Sequence, residues 1–457
     1  MTSATGMAGP THGMAAGQRE AWRASILHFT EDPAFHEQAH VWHQDGLLVV
    51  QDGRIAAVGD HASLARGLPS GTVVHDWRGK ILMPGFIDTH IHYPQTDIIA
   101  SPAPGLLPWL ETYTFPAERR FDDPAHGRAV ASFFLDELAR CGTTTAMVWC
   151  TVHAASAHAF FEESAARGLR MVAGKVLMDR NCPEFLRDTA ESGARDTEDL
   201  IRAWHGKARQ MVAITPRFAP TSTDAQLGLA GELARAWPDT FIQTHVAENT
   251  DEVAWAMSLF PAARSYLDIY DRVGLLRERA LYAHCIWLDD ADRGRLRDSG
   301  AAVALCPTSN LFLGSGLFDF KQADAARMPL SLATDVGGGT SFSMLRTMNE
   351  QYKVARLGGT HLSALRMFYL ATLGGARSMQ LADTIGSFAA GSEADFIALD
   401  PKGTPLLARR TGQAQSLEEL LFALAILGDE RAIAATWSGG KLLQSRDREA
   451  PPTATIS

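Results

Sequence analysis

The chain has 457 residues, 46% of them hydrophobic and 21% charged, with a net charge of −10. That acidic balance argues against nucleic acid as a partner, because backbone binding rests on clustered Lys and Arg. No uninterrupted apolar run is long enough to span a bilayer, so membrane insertion is excluded as well and a small neutral molecule is the better ligand.

The length suits an α/β barrel of about 250 residues plus a smaller module. Five cysteines (Cys141, Cys150, Cys182, Cys285, Cys306) are odd in number and contain no Cys-x-x-Cys pair. They read as reduced thiols, which places the protein in the cytoplasm.

In chain order, residues 1–20 are rich in Ala, Gly, Thr and Met but lack the basic start and apolar core of a signal peptide. They are expected to form a flexible tail. Residues 21–80 contain short strand-like runs at 25–28, 46–50 and 54–59, the last two joined by Asp52-Gly53, a strong hairpin signal. β-like text returns within 381–445, at 394–399, 434–437 and 441–443, so both chain ends are expected to pair into one small β-sandwich module. A second flexible tail is expected over 446–457.

Between these parts, residues 81–380 alternate apolar strand candidates with helix-period segments, the pattern of repeated βα units. The strands fall at 81–88, 143–149, 170–177, 211–217, 240–245, 280–284, 302–306 and 330–335. Helical stretches lie between them, for example at 127–140, 155–167, 223–236 and 289–299. Eight such units close into a TIM-type (β/α)8 barrel with chemistry at the carboxyl ends of the strands. An open doubly wound sheet is the alternative, and no Gly-x-Gly-x-x-Gly supports it.

Reactive side chains do gather at those strand ends. His90 and His92 are two apart, so on a strand they aim at one point. Arg217, His245, His284 and Asp335 end the fourth, fifth, sixth and eighth strands. Three imidazoles with one carboxylate suit Zn²⁺, with Fe²⁺ as the alternative. Glu248, three residues after His245, is the candidate general acid/base; its bland reading is a helix N-terminal carboxylate. His36-Glu37-Gln38-Ala39-His40 matches the zinc-protease pattern, but it lies in a linker between strand-like runs and not on the helix that chemistry requires.

Several blocks together carry a resemblance. They are Pro84-Gly85-Phe86-Ile87-Asp88-Thr89-His90-Ile91-His92-Tyr93-Pro94-Gln95, Trp109-Leu110-Glu111-Thr112-Tyr113-Thr114-Phe115-Pro116-Ala117-Glu118, Thr215-Pro216-Arg217-Phe218-Ala219-Pro220-Thr221, His245 with Glu248, Cys306-Pro307-Thr308-Ser309-Asn310-Leu311 and Thr334-Asp335-Val336-Gly337-Gly338-Gly339. In these the chain resembles the amidohydrolase superfamily, in its one-metal deaminase branch, and within that branch the guanine deaminases.

The resemblance implies one zinc ion per subunit, held by His90, His92, His245 and Asp335, and a homodimer. It implies that Glu248 shuttles protons and that Gln95, Arg217 and Phe218 meet the purine, with Trp109 in the adjoining 107–118 segment as a further wall. The expected reaction is attack of activated water on C2 of guanine while Asp335 takes or orients its proton. Glu248 protonates the adjacent ring nitrogen, ammonia leaves, and His284 hydrogen-bonds the reacting oxygen or the developing centre. Segment 107–118 is expected to act as a lid or a dimer contact, with ordinary loop packing as the alternative. Lys175 resembles the bridging lysine of two-metal relatives but is read as structural, because His245-x-x-Glu248 favours one metal. Two other readings stand beside this one: a deaminase or dechlorinase of another nitrogen heterocycle (8-oxoguanine, adenine or a triazine), and a non-catalytic barrel scaffold.

Overall fold

A computed structural model of the protein describes residue 17, residues 19–446 and residues 453–455. Its larger part is a barrel of eight parallel strands in chain order: Phe86–His92, Thr143–Trp149, Arg170–Gly174, Gln210–Pro216, Phe241–Val246, Ala280–His284, Ala302–Leu305 and Leu330–Leu332. The third strand resumes past Lys175 as Val176–Leu177, which pairs with the fourth. The helices anticipated between strands are present as Pro124–Arg140, Ala154–Ala166, Asp224–Ala236 and Asp290–Ser299. Three of these start on capping side chains, Asp123, Thr223 and Asp289, that accept from first-turn N–H groups. The first seven strands each give one side chain to an apolar floor: Ile87, Met147, Val172, Ala213, Phe241, Leu281 and Ala302, underlain by Met379 and Ile385. The interior is therefore packed below and open for chemistry only above.

The first strand departs from the expected 81–88. Ile81, Leu82, Met83 and Pro84 end a strand of the other sheet, Val73–Pro84, paired with Phe396–Leu399. Gly85 makes the break: its N–H donates to Asp395 O at 3.1 Å, and a Cβ there would sit 2.1 Å from Thr144 Oγ1. Inside Phe86–His92 the register against the second strand shifts between Asp88↔Ala146 and Ile91↔Val148, three steps opposing two. This is a β-bulge. Counting in twos from Ile87 on the floor would turn residues 90 and 92 toward the helices; the extra residue turns both imidazoles inward.

The ring closes through the exits of strands one and eight. Thr334 donates its N–H (3.1 Å) and its hydroxyl (2.5 Å) to Asp88, and the Thr89 and Ser331 hydroxyls lie 2.9 Å apart. Beyond them Asp335 N–H donates to His90 O at 2.9 Å, and His92 N–H to Val336 O at 2.8 Å.

Both chain ends form one mixed sheet, as expected, in the strand order Lys441–Ser445, Ile433–Ser438, Phe396–Leu399, Val73–Pro84, Arg19–Phe29, His40–Gln51 and Arg54–Asp60. The sandwich is realised by curling: Trp22 and Trp437, three strands apart in that order, have ring centroids 6.4 Å apart in a shared core. Asp52 (φ 51°) and Gly53 (φ 75°) are both left-handed, the geometry of the predicted hairpin turn. The tails anticipated over 1–20 and 446–457 lie largely outside the described residues. Arg19 already begins a strand, and Thr453–Thr455 pairs antiparallel with residues 73–75. No helix among the described residues is long and apolar enough to cross a membrane.

An ion-pair knot joins the sheet to the barrel. Arg170 donates twice to Glu393, at 2.7 and 2.5 Å, and Arg209 donates to Glu393 and to Asp395 at 2.5 Å each. Burial pushes the Glu393 carboxyl up, but the Arg170 hydrogen bonds and the Arg209 charge outweigh it and hold the group at about 2, against 4.5. A folded value below the unfolded one means stabilisation that is full above about pH 4.5 and lost as pH falls toward 2. The shift corresponds to about 3 kcal/mol. Denaturant unfolding of the wild type and Glu393→Gln is expected to show the largest stability difference above pH 4.5, closing toward pH 2; a pH-independent difference would remove the charge from this role.

Candidate metal centre and active site

Six side chains converge where the barrel opens. His90 and His92 arrive through the bulge. Arg217 and His245 continue the inward phase of Thr215 and Gln243 on their strands, whose side chains hydrogen-bond each other at 3.1 Å. His284 follows inward-facing Ala283 and would point away by strict alternation. Left-handed backbone at His284 (φ 71°) and Cys285 (φ 54°) turns it to the cavity. Asp335 (φ 52°) is left-handed too, and such strain in non-glycine residues is characteristic of functional sites.

His90 Nε2 lies 3.1 Å from His92 Nε2, and each is 3.3 Å from Asp335 Oδ1. The ligand atoms of His90, His92 and His245 lie within 4.8 Å of one another. Trp149 braces the group, its indole N–H 3.1 Å from His90 Nδ1 and its ring stacked on His92 at 5.0 Å. His245 Nδ1 is 2.6 Å from Arg217 O, which leaves Nε2 for the centre. Burial pulls His92 down to about 3 and lowers His90 and His245, so all three imidazoles stay neutral. Burial alone would raise Asp335, yet the surrounding imidazoles hold it well below the usual carboxylate range. Three neutral nitrogens and one ionised carboxylate aimed at a single point fit a divalent cation. Cys306 also lies within reach, but burial keeps its thiol protonated and it donates to Ala304 O at 3.5 Å, outside the donor set.

Glu248 faces this centre from the loop after strand five. Burial, with the Asp335 charge adding, raises it to about 8, so the buried carboxyl holds a proton at neutral pH. Its oxygens lie 2.8 Å from Ser315 Oγ and 3.4 Å from His284 Nε2. The helix-capping role considered for it belongs to Glu252, which accepts from the N–H groups of Glu248 and Asn249 at 2.9 and 3.0 Å. His284 Nδ1 is 2.8 Å from Asn310 Oδ1, and its buried Nε2 makes no hydrogen bond among the described residues.

The cavity above is partly open to solvent and is lined by Gln95, Trp109, Arg217, Phe218, Glu248 and His284 among others. Its roof is Leu106–Trp109 with the turns Leu110–Thr114 and Phe115–Glu118, whose apolar side chains pack on Trp149, Met178, Phe218 and Leu313. Trp109 is buried with its indole N–H on Ser101 O at 3.1 Å. Phe218 stands edge-on to Trp255, with ring centroids 6.0 Å apart.

Arg217 and Gln95 each have a partner that sequence reasoning missed. Glu118, itself buried, accepts from both. Ser315, 67 residues from Glu248, acts across the fold, and so does Asn310, 26 residues from His284, which sequence alone reads as turn chemistry; Glu252 instead caps the N–H groups of Glu248 and Asn249 from within the same turn. Lys175 is fully buried and donates to Asp188 at 2.5 Å, in keeping with a structural role. His36 is exposed and its segment is not helical, so the protease-like pattern has no shared helix face.

A model of the amidohydrolase family matches residues 81–443. The chain is 46% identical over 404 residues to the guanine deaminase of Escherichia coli K12, covering 88% of this chain and 92% of that one. The solved structure of E. coli guanine deaminase superimposes with a TM-score of 0.92 at 44% identity, covering 94% of this chain and 100% of that one. A probable guanine deaminase of Deinococcus radiodurans is 39% identical over 436 residues, 94% and 99% of the two chains. A guanine deaminase of C. acetobutylicum with guanine in its active site matches with a TM-score of 0.83 at 26% identity, covering 93% and 100%. With its barrel, its converging ligand set and these relatives, the chain belongs to the amidohydrolase family.

Proposed function

We propose that this protein hydrolyses guanine to xanthine and ammonia, with one divalent ion per chain held by His90, His92, His245 and Asp335, and zinc as that ion. The observation that carries the reading is a buried carboxyl, Glu248, set between the ligand cluster and a cavity lined by Arg217 and Gln95. The kinship with guanine deaminases supports guanine as the substrate. Five buried free cysteines support a reducing compartment, the cytoplasm. The homodimer rests on resemblance alone.

When bound, the ion supplies Lewis acidity, lowering the pKa of water at the site from about 15.7 to roughly 7. The chain does the rest. Phe218 and Trp109 wall the flat base. Arg217 and Gln95 donate to its acceptors. With His284 Nδ1–H donating to Asn310 Oδ1, Nε2 presents a lone pair that accepts from the attacking water and orients it toward C2. Asp335, ionised, takes or orients that water's proton. Glu248 delivers its proton to the ring nitrogen beside C2, is reprotonated by the proton that Asp335 took from the water, and passes it to the amine as the C2–N bond breaks and ammonia leaves; the proton of the C2 hydroxyl, released as the carbonyl forms, restores Glu248. The roof keeps bulk water from these transfers.

Metal-replete protein given guanine is expected to release ammonia, to stop on chelation, and to prefer guanine over adenine by about 10⁴-fold or more. Turnover of another heterocycle instead, or chelator-insensitive turnover, contradicts the reading. Glu248→Gln is expected to lower kcat by about 10²- to 10⁴-fold with metal content unchanged. Loss of the metal in that variant would place Glu248 among the ligands and not on the proton path.

A further inference from the structure

Two groups assigned to the substrate are already partly engaged, and by the same carboxylate. Glu118 accepts from Arg217 NH1 through both oxygens, at 3.0 and 2.8 Å, and from Gln95 Nε2 at 3.3 Å. Gln95 Oε1 in turn accepts from Gly337 N–H at 3.1 Å. The side chains of Arg217 and Glu118 are only 3% and 1% exposed, so neither charge has water as an alternative partner.

This arrangement decides what the pocket edge offers. Glu118 uses one nitrogen of the guanidinium and leaves its Nε and second NH₂ unclaimed by the carboxylate, and these are donors only. It also sets the Gln95 amide, nitrogen toward the carboxylate and oxygen toward Gly337, so the remaining amide hydrogen is a donor as well. An edge of donors takes a purine edge of acceptors, the C6 carbonyl with N7 across from the protonated N1. It leaves unpaired donors facing an exocyclic amine.

We propose that Glu118 is a specificity-determining positioning residue: by holding Arg217 and Gln95 together it makes this edge of the pocket donor-only and selects a carbonyl over an amine. The proposal rests on the deaminase reading above. Because Glu118 ends the roof segment, and Phe115 of the same turn lies 5.5 Å from the Arg217 guanidinium, selection and closure share one anchor.

Guanine and 2,6-diaminopurine carry the same amine at C2 and differ at C6, carbonyl against amine, with the N1 proton that goes with it. Hydrolysis at C2 yields xanthine from the first and isoguanine from the second, each with one ammonia, so product analysis reports selection directly. The metal-loaded wild type is expected to favour guanine by about 10⁴-fold or more in kcat/KM. In Glu118→Gln one amide oxygen must serve both donors while its NH₂ opposes the Arg217 nitrogen, so Gln95 is free to turn its oxygen to the pocket. The guanine KM is expected to rise about 10- to 100-fold, kcat to change less, and the guanine preference to fall by at least about 10-fold. Glu118→Asp keeps the charge but withdraws it by one methylene, and is expected to shift the preference the same way by a smaller factor.

A guanine preference unchanged in either folded variant, with both substrates slowed in step, overturns the role of Glu118 and leaves the deaminase reading standing. A wild type that forms no xanthine from guanine overturns both.

Discussion

The site depends on how the barrel closes. Strands one and eight meet through Thr334 on the Asp88 carboxylate and through two backbone bonds, Asp335 N–H to His90 O and His92 N–H to Val336 O. These bonds fix the exits of both strands at the height where His90, His92 and Asp335 project inward. Asp88 is fully buried, and burial raises its carboxyl to about 7 although Thr334 and the His90 N–H favour the charged form. The closure therefore uses costly buried polar groups, each satisfied by a specific partner. Three of the four proposed ligands are placed by it, and only His245 is placed independently, by the regular phase of strand five.

Burial then divides the acids by function. Asp335 and Glu248 are both buried at the same cavity, yet they take opposite protonation states. Asp335 sits among imidazoles that hold it ionised, whereas Glu248, beside the Ser315 hydroxyl and His284 Nε2, is raised by burial and by the repulsion of Asp335. Paired acids pushed apart in this way supply a ligand and a proton donor from the same residue class. The apolar roof, packed on Trp149 and Phe218, lowers the local dielectric that makes the division sharp.

The strand and helix order was legible because each βα unit carries its own period, and the strand-end histidines followed from it. What was not legible depends on contacts distant in the chain or on a change of phase. The run from Ile81 to Ile87 is continuously apolar, so nothing local marks Gly85 as a handover between two sheets; Thr144 and Asp395, far along the chain, impose it. The bulge before Ile91 and the left-handed turn at His284 are phase changes that periodicity does not encode. Glu118 stood in plain view in the Phe115-Pro116-Ala117-Glu118 block, but its partners lie 99 and 23 residues away. Glu248 and Glu252 share one local pattern, and only the helix start at Thr250 separates the cap from the residue facing the cavity.

The most direct test of the central claim is an anomalous difference map at the zinc edge from crystals of metal-replete protein. The account predicts one peak per chain, about 2.0–2.2 Å from nitrogens of His90, His92 and His245 and from an Asp335 oxygen, with Glu248 and Lys175 outside that distance. Two peaks bridged at Lys175, or a single peak away from the closure of strands one and eight, would contradict it.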